Sequence, residues 1–198
     1  TINNYLSETG VTTRLKEERQ IVILINESSL SSDNRLRFWE TRPISETSLT
    51  RYFIEEGIPV VRRSSIRYAI PEETVMGAMK GDLSAAANIG RKAGADIVIV
   101  GNATSTIVTG SQVQSMQPIR VALSIKVVSS QHAKLIAAKS DFATSTGNEV
   151  LAGELEAFHR AGKKLAEFLI PAIQNYWNAG NEKKEVKQSA SAPKKKSS

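Results

Sequence analysis

The sequence predicts an α/β protein of the mixed α+β kind, with one mixed sheet of about five strands and helices packed on it. Three observations carry that prediction. Two continuous β-branched runs, "QIVILIN" (Gln20–Asn26) and "DIVIV" (Asp96–Val100), read as strands covered on both faces. Between them lie stretches with helical spacing, each closed by a glycine. After Gly101 the pattern changes to strict alternation, as in strands with one solvated face.

Taken in order, the elements run β-α-β-α-α-β-β-β-α. Residues 1–19 are a polar lead-in. The first strand is followed by "SSLSSDNRLRFWETRP", which has no strong period and is long for a structureless connection; such loops tend to carry function. Ser45 is placed to cap a helix bearing Leu49, Tyr52 and Phe53, closed by Gly57. "IPVVR" (Ile58–Arg62) is a second short strand. Pro71 opens a helix with Glu72 and Glu73 in its first turn, where they complement the dipole, and Gly81 closes it. Asp82 caps "LSAAANIGRKA", which stops at Gly94. The central strand then leads into a hairpin, "IRVALSIKVV" turning through "SSQHAK" into "LIAAKSDFATS". Its inward face carries Ile119, Val121, Leu123, Ile125 and Val127.

Glu149 to Asn178 reads as one long helix with a stripe of Leu151, Leu155, Phe158, Gly162, Leu165, Leu169, Ala172 and Tyr176. Gly162, Ala172 and Pro171 interrupt it as a coiled-coil seam, so it is expected to lie across the sheet. The first three strands, joined by helices, call for right-handed parallel crossovers, and the last three form an antiparallel meander.

The 198 residues fit one domain, read as 20–179, with hydrophobic content of 40% ample for a core. Zero cysteines exclude disulfides, thiol nucleophiles and Cys-ligated zinc. No apolar run approaches the ~18 residues of a membrane span. The first residue is Thr1, so an upstream piece is expected to have been removed, together with any signal peptide or lipidated Cys on it.

The net charge is +6, yet six Lys and two Glu in residues 181–198 supply +4 of it and leave +2 for the other 180 residues. Residues 180–198 are read as a disordered Lys/Ser-rich tail. Its Lys194–Lys196 cluster suits weak contact with an anionic surface, and plain solubilisation is the simpler reading.

The chemical inventory is thin. Gly101-Asn102 follows a strand, where cofactors often sit, but "GNATSTIVTG" lacks G-x-G-x-x-G and favours strand continuation, so Gly101 is expected to relieve a bulge or bend. His132 falls in a turn and His159 on the long helix near Glu156, half a metal site at most. Glu55/Glu56 and Glu72/Glu73 read as helix surface. No G-x-S-x-G elbow is present, although a Ser-His-Asp set assembled from distant positions stays open. No enzyme and no cofactor are expected.

Arg35, Arg37 and Arg42 share the long loop with Phe38 and Trp39, and Arg62, Arg63 and Arg67 follow the second strand. Arginine beside an exposed aromatic suits either single-stranded nucleic acid or a protein interface. The alternative is that Trp39 packs the loop down while the arginines pair with acids such as Glu27, Asp33 and Glu40. With little net charge on the body, this packing reading is preferred over nucleic acid; a protein interface is the third option, and its candidate residues are Phe38, Trp39, Arg62, Arg63 and Arg67. A nucleic-acid-binding module and a small-ligand domain are the other readings.

"RYFIEEGIPVVRRSSIR" followed by "LSAAANIGRKAGADIVIVGNATS" resembles a motif pair of bacterial envelope domains: the TolB N-terminal domain, the middle domain of flagellar assembly protein T, and the curli secretion lipoprotein CsgG. Gly57, Val60, Val61 and Arg63 match its first half, and Gly94, Ala95, Asp96 and Gly101 its second. The hairpin and "AGKKLAEFLIPAIQNYW" are similar too, so the resemblance spans about residues 18–178. It implies a non-enzymatic, periplasmic and outer-membrane-associated scaffold or accessory protein. Such a protein self-associates or docks on flagellar or secretion machinery. "TGSQVQSMQP" is too short and polar for the barrel-wall hairpins of pore-forming members, so no pore is expected.

Overall fold

The computed structural model describes residues 19–31, 37–108, 117–147 and 149–190, and only the backbone of residues 117 and 181–190. One five-stranded sheet runs in the order β2-β1-β3-β4-β5. Strand β1 (Ile21–Ser28) pairs in parallel with β2 (Val60–Val61) on one side and β3 (Ile97–Ile107) on the other. Strands β4 (Gln117–Ser129) and β5 (Lys134–Gly147) follow as the antiparallel meander the alternation called for.

Each face of the sheet has its own core, because successive side chains point to opposite sides. Ile21, Ile23, Ile25, Ile97, Ile99, Val121, Leu123 and Val127 meet helices α1 (Ile44–Glu55) and α5 (Val150–Ala190). Val22, Leu24, Val98, Val100 and Val128 meet α2 (Arg63–Ile66), α3 (Glu72–Lys80) and α4 (Leu83–Ala93). Ile21 to Ile25 of β1 are therefore all buried, which is why that stretch reads as an unbroken apolar run. On this face the buried core ends at Val100 on β3 and Val128 on β4. Asn102, Thr104, Arg120, Ser124, Ser140 and Phe142 consequently share an open, polar half-face.

Asp82 Oδ1 accepts from the amides of Ser84 and Ala85, the expected cap of α4. Gly81 and Gly94 close α3 and α4 at φ of 112° and 68°, where other side chains are disfavoured.

Several expectations change. Helix α1 is not capped by Ser45; Pro43 precedes it, and Glu27 reaches across from β1 to accept from the amides of Ile44 and Ser45 at 3.0 and 2.8 Å. The second strand shrinks to two residues because Arg63–Ile66 turn into α2. Gly101 marks no bulge, since β3 runs straight through it in register with Ile125; the irregularity lies at Val127/Val128 against β5. Glycine is required there because a Cβ would collide with the Ser124 carbonyl oxygen and lie 2.7 Å from Ile125 Cδ1.

Helix α5 runs past Asn178 and through 180–190, where a disordered tail is expected; residues 191–198, including Lys194–Lys196, lie outside the described residues. Its buried positions are doublets at 153/154, 157/158, 161/162, 165/166 and 169/170, so Leu151 and Leu155 of the expected stripe are exposed. Each four-residue step turns about 40° beyond a full turn, so the buried stripe winds around the helix as it crosses a twisted sheet. Among the described residues, no helix is long and apolar enough to cross a membrane.

Candidate docking surface

The five candidate interface residues gather at the β2 edge of the sheet, but they divide into support and surface. Phe38 is 3% exposed and belongs to the second core, so it is no contact residue. Arg63 also turns inward. Its Nη1 donates to Glu46 Oε2 at 2.6 Å, with both side chains largely buried, and its Nη2 donates to the Phe38 carbonyl oxygen and at 3.4 Å to Thr41 Oγ1. The guanidinium lies 3.8 Å from the centre of the Phe38 ring and 5.5 Å from that of Trp39, while the two rings meet edge to face at 5.0 Å. One arginine thus ties the end of the long loop to α1 and α2. Its acid is Glu46, not the Glu27, Asp33 or Glu40 that sequence proximity suggests, and Asp33 and Arg35 lie outside the described residues.

Burial sets the electrostatics of that pair. Desolvation holds the Glu46 carboxyl above its ordinary value, against the lowering pull of Arg63 and of the Ile25 amide that donates to it at 3.1 Å. Desolvation likewise lowers the Arg63 guanidinium, with Glu46 opposing.

What faces solvent is the turn that follows. Ile66 and Ile70 are buried at 3% and 1%, and they pin both ends of the segment Arg67–Ala69. Between them Tyr68 is 87% exposed, with the Arg67 guanidinium 4.7 Å from its ring centre. Lys92 Nζ donates to the Ala69 carbonyl oxygen at 3.1 Å and fixes the turn from α4. Arg62 and Arg67 are exposed, and Trp39 is partly so, with a buried Nε1 that has no acceptor among the described residues. Sequence reasoning passed over Tyr68; an aromatic beside Arg67, midway between Ile66 and Ile70, was the available sign.

Other candidates resolve separately. The Tyr52 hydroxyl lies 2.9 Å from His159 Nε2 on the surface, while Glu156 turns away to Ser145 Oγ at 2.7 Å and to Arg160. His132 is exposed in the β4–β5 turn. No group of three His, Cys, Asp or Glu able to hold a metal occurs among the described residues. Gly101 and Asn102 line a depression of about 280 Å³ with Met79, Ser124, Lys126 and Ser140, just under the usual size of a ligand pocket. Both its lysines are already engaged: Lys126 donates to the Met79 carbonyl oxygen at the end of α3 at 3.3 Å, and Lys139 pairs with Asp141 at 3.9 Å.

One polar cluster was not foreseen. Glu154, one turn into α5, is fully buried and accepts from the Leu30 amide at 2.6 Å, the Ser31 amide at 3.0 Å, and the hydroxyls of Ser29, Ser31 and Ser105. It fastens the start of the long loop to β3 and to the long helix. Its three serines come from distant stretches of chain, so no local motif announces it.

Comparison with known proteins addresses the fold. No family model matches the sequence, and no curated protein does. The hypothetical protein CT253 from Chlamydia trachomatis matches 80% of this chain and 97% of its own at 10% identity and a TM-score of 0.50. That establishes a shared fold and nothing more. Two bacterial lipoproteins have a similar outline below that score. Lipoprotein GNA1162 from Neisseria meningitidis reaches 0.46 at 15% identity over 79% of this chain and 99% of its own. A minor lipoprotein from Acinetobacter baumannii reaches 0.45 at 9% identity over 80% and 95%.

Proposed function

We propose that this chain is a non-enzymatic accessory protein of the bacterial envelope that works by docking another protein, or a second copy of itself, at the β2 edge. The observation that carries the proposal is Tyr68, an aromatic left 87% exposed on a turn anchored by buried Ile66 and Ile70 and by Lys92. Tyr with Arg is the pairing favoured at interface hot spots, and here both side chains stand in water on one turn. The motif resemblance read from the sequence over about residues 18–178 points to the setting. An envelope-spanning assembly of flagellar or secretion type is the machine it suggests.

A photo-crosslinking residue in place of Tyr68, compared with one in place of the exposed Lys163 on α5, tests this in envelope preparations. The proposal expects a discrete adduct at position 68 that vanishes with Arg62→Glu/Arg67→Glu and is absent at position 163. Equal labelling at both positions contradicts it. The same Arg67–Tyr68 stack suits gripping a single-stranded nucleic acid. That second reading requires oligonucleotide binding that weakens steeply with salt and is lost on Tyr68→Ala.

A further inference from the structure

We infer that a stripe of α5 side chains seals the free edge of the sheet at β5 against strand addition by a second copy of this chain. Strand β5 is the last in the sheet, and an edge strand presents outward N–H and C=O groups that template pairing. At fourteen residues it is long, whereas β2 at the opposite edge has two. Phe142 and Leu135 on it are 51% and 42% exposed, so apolar burial would reward association. Two β5 strands meeting antiparallel about a two-fold axis would need no further partner.

Three of the outward groups at its centre are already taken. The Phe142 amide donates to Asp141 Oδ1 at 2.7 Å. The Phe142 carbonyl oxygen accepts from Lys164 Nζ at 3.0 Å, and the Thr144 carbonyl oxygen accepts from Arg160 Nη1 at 3.3 Å. The blocking side chains are held in turn. Glu156 pairs with Arg160 and accepts from Ser145 Oγ at 2.7 Å, and Asp141 lies 3.7 Å from Lys164 and 3.9 Å from Lys139. Lys139 Nζ then stands 4.7 Å from the centre of the Phe168 ring. Positions 156, 160, 164 and 168 therefore track β5 downward from Ser145 to Lys139. The match is geometric: four helical residues rise about 6 Å and two strand residues about 6.7 Å, so one stripe stays in step with alternate strand positions.

Arg160 and Lys164 are 54% and 52% exposed, so removing them opens the edge while leaving both cores intact. The test is Arg160→Ala/Lys164→Ala, followed by light scattering over a concentration series and amide exchange on β5. The inference expects self-association at least tenfold tighter than in the wild type, with slowed exchange at Phe142 and Thr144. Arg160→Lys/Lys164→Arg should keep the wild-type mass. Should the double alanine variant lose its cooperative melt, Lys164→Ala alone, which retains the Glu156–Arg160 pair, is read the same way. Wild-type mass at every concentration overturns the inference, and so does association accompanied by faster exchange throughout the chain.

Discussion

Arg63 shows how a residue chosen for one role is used for another. In sequence it is one of a run of arginines after a strand; in space it is the buried tie beneath the surface that the others form. Breaking a buried ion pair by deleting one partner strands the other charge, so Arg63→Ala should cost about 3–5 kcal/mol in urea unfolding at neutral pH. The pH dependence follows from the raised Glu46 carboxyl. The folded state holds that proton more tightly than the unfolded chain does. The group's contribution is thus fully present below the unfolded carboxylate value and is lost as pH rises through the folded one. Removing Arg63 takes away the charge that lowers it, so the variant should lose more stability at pH 8 than at pH 5. An equal loss at both pH values would mean that the arginine acts through packing on Phe38 alone.

At the scale of elements, what was legible in the sequence depended on whether the deciding contacts were local. The α4 cap, the glycine stops of α3 and α4, and the covered and half-covered strands all follow from residues within a few positions of each other. The α1 cap does not, because its acceptor is Glu27, some 17 residues upstream on β1. Helix α2 was invisible because four residues carry no period. The early part of the α5 stripe was misplaced because a threes-and-fours count assumes a straight seam, and a helix on a twisted sheet buries a winding one. Glu154 lay beyond reach for the same reason as Glu27: its partners Ser29 and Ser105 are 125 and 49 residues away. It joins the start of α5 to β3 and to the loop after β1. Glu154→Ala, which leaves the Leu30 and Ser31 amides without their acceptor, should therefore destabilise by roughly 2–4 kcal/mol. The check is chemical unfolding together with exchange at those two amides, which should rise selectively. Unchanged exchange there would mean that the loop is held by other contacts.

For the molecule as a whole, the two edges of the sheet are treated differently. Near the β5 edge, charged α5 side chains occupy the outward carbonyl oxygens of Phe142 and Thr144. Near β2, an anchored turn leaves Tyr68 in water beside exposed Arg62 and Arg67. Of the candidate interface read from sequence, Arg62, Arg67 and part of Trp39 reach the surface, while Phe38 and Arg63 build the mount beneath. Sequence supplied the neighbourhood; which of its members point outward depended on how Ile66 and Ile70 pin the turn, a packing fact with no periodic trace. On the function proposed above, this turn is where the protein meets its partner. The most direct measurement is the size of the natively expressed protein after gentle extraction of the envelope, compared between wild type and Arg67→Glu/Tyr68→Ala. The account predicts a larger species in the wild type that collapses to the free chain in the variant. An assembly of the same size in both would contradict it.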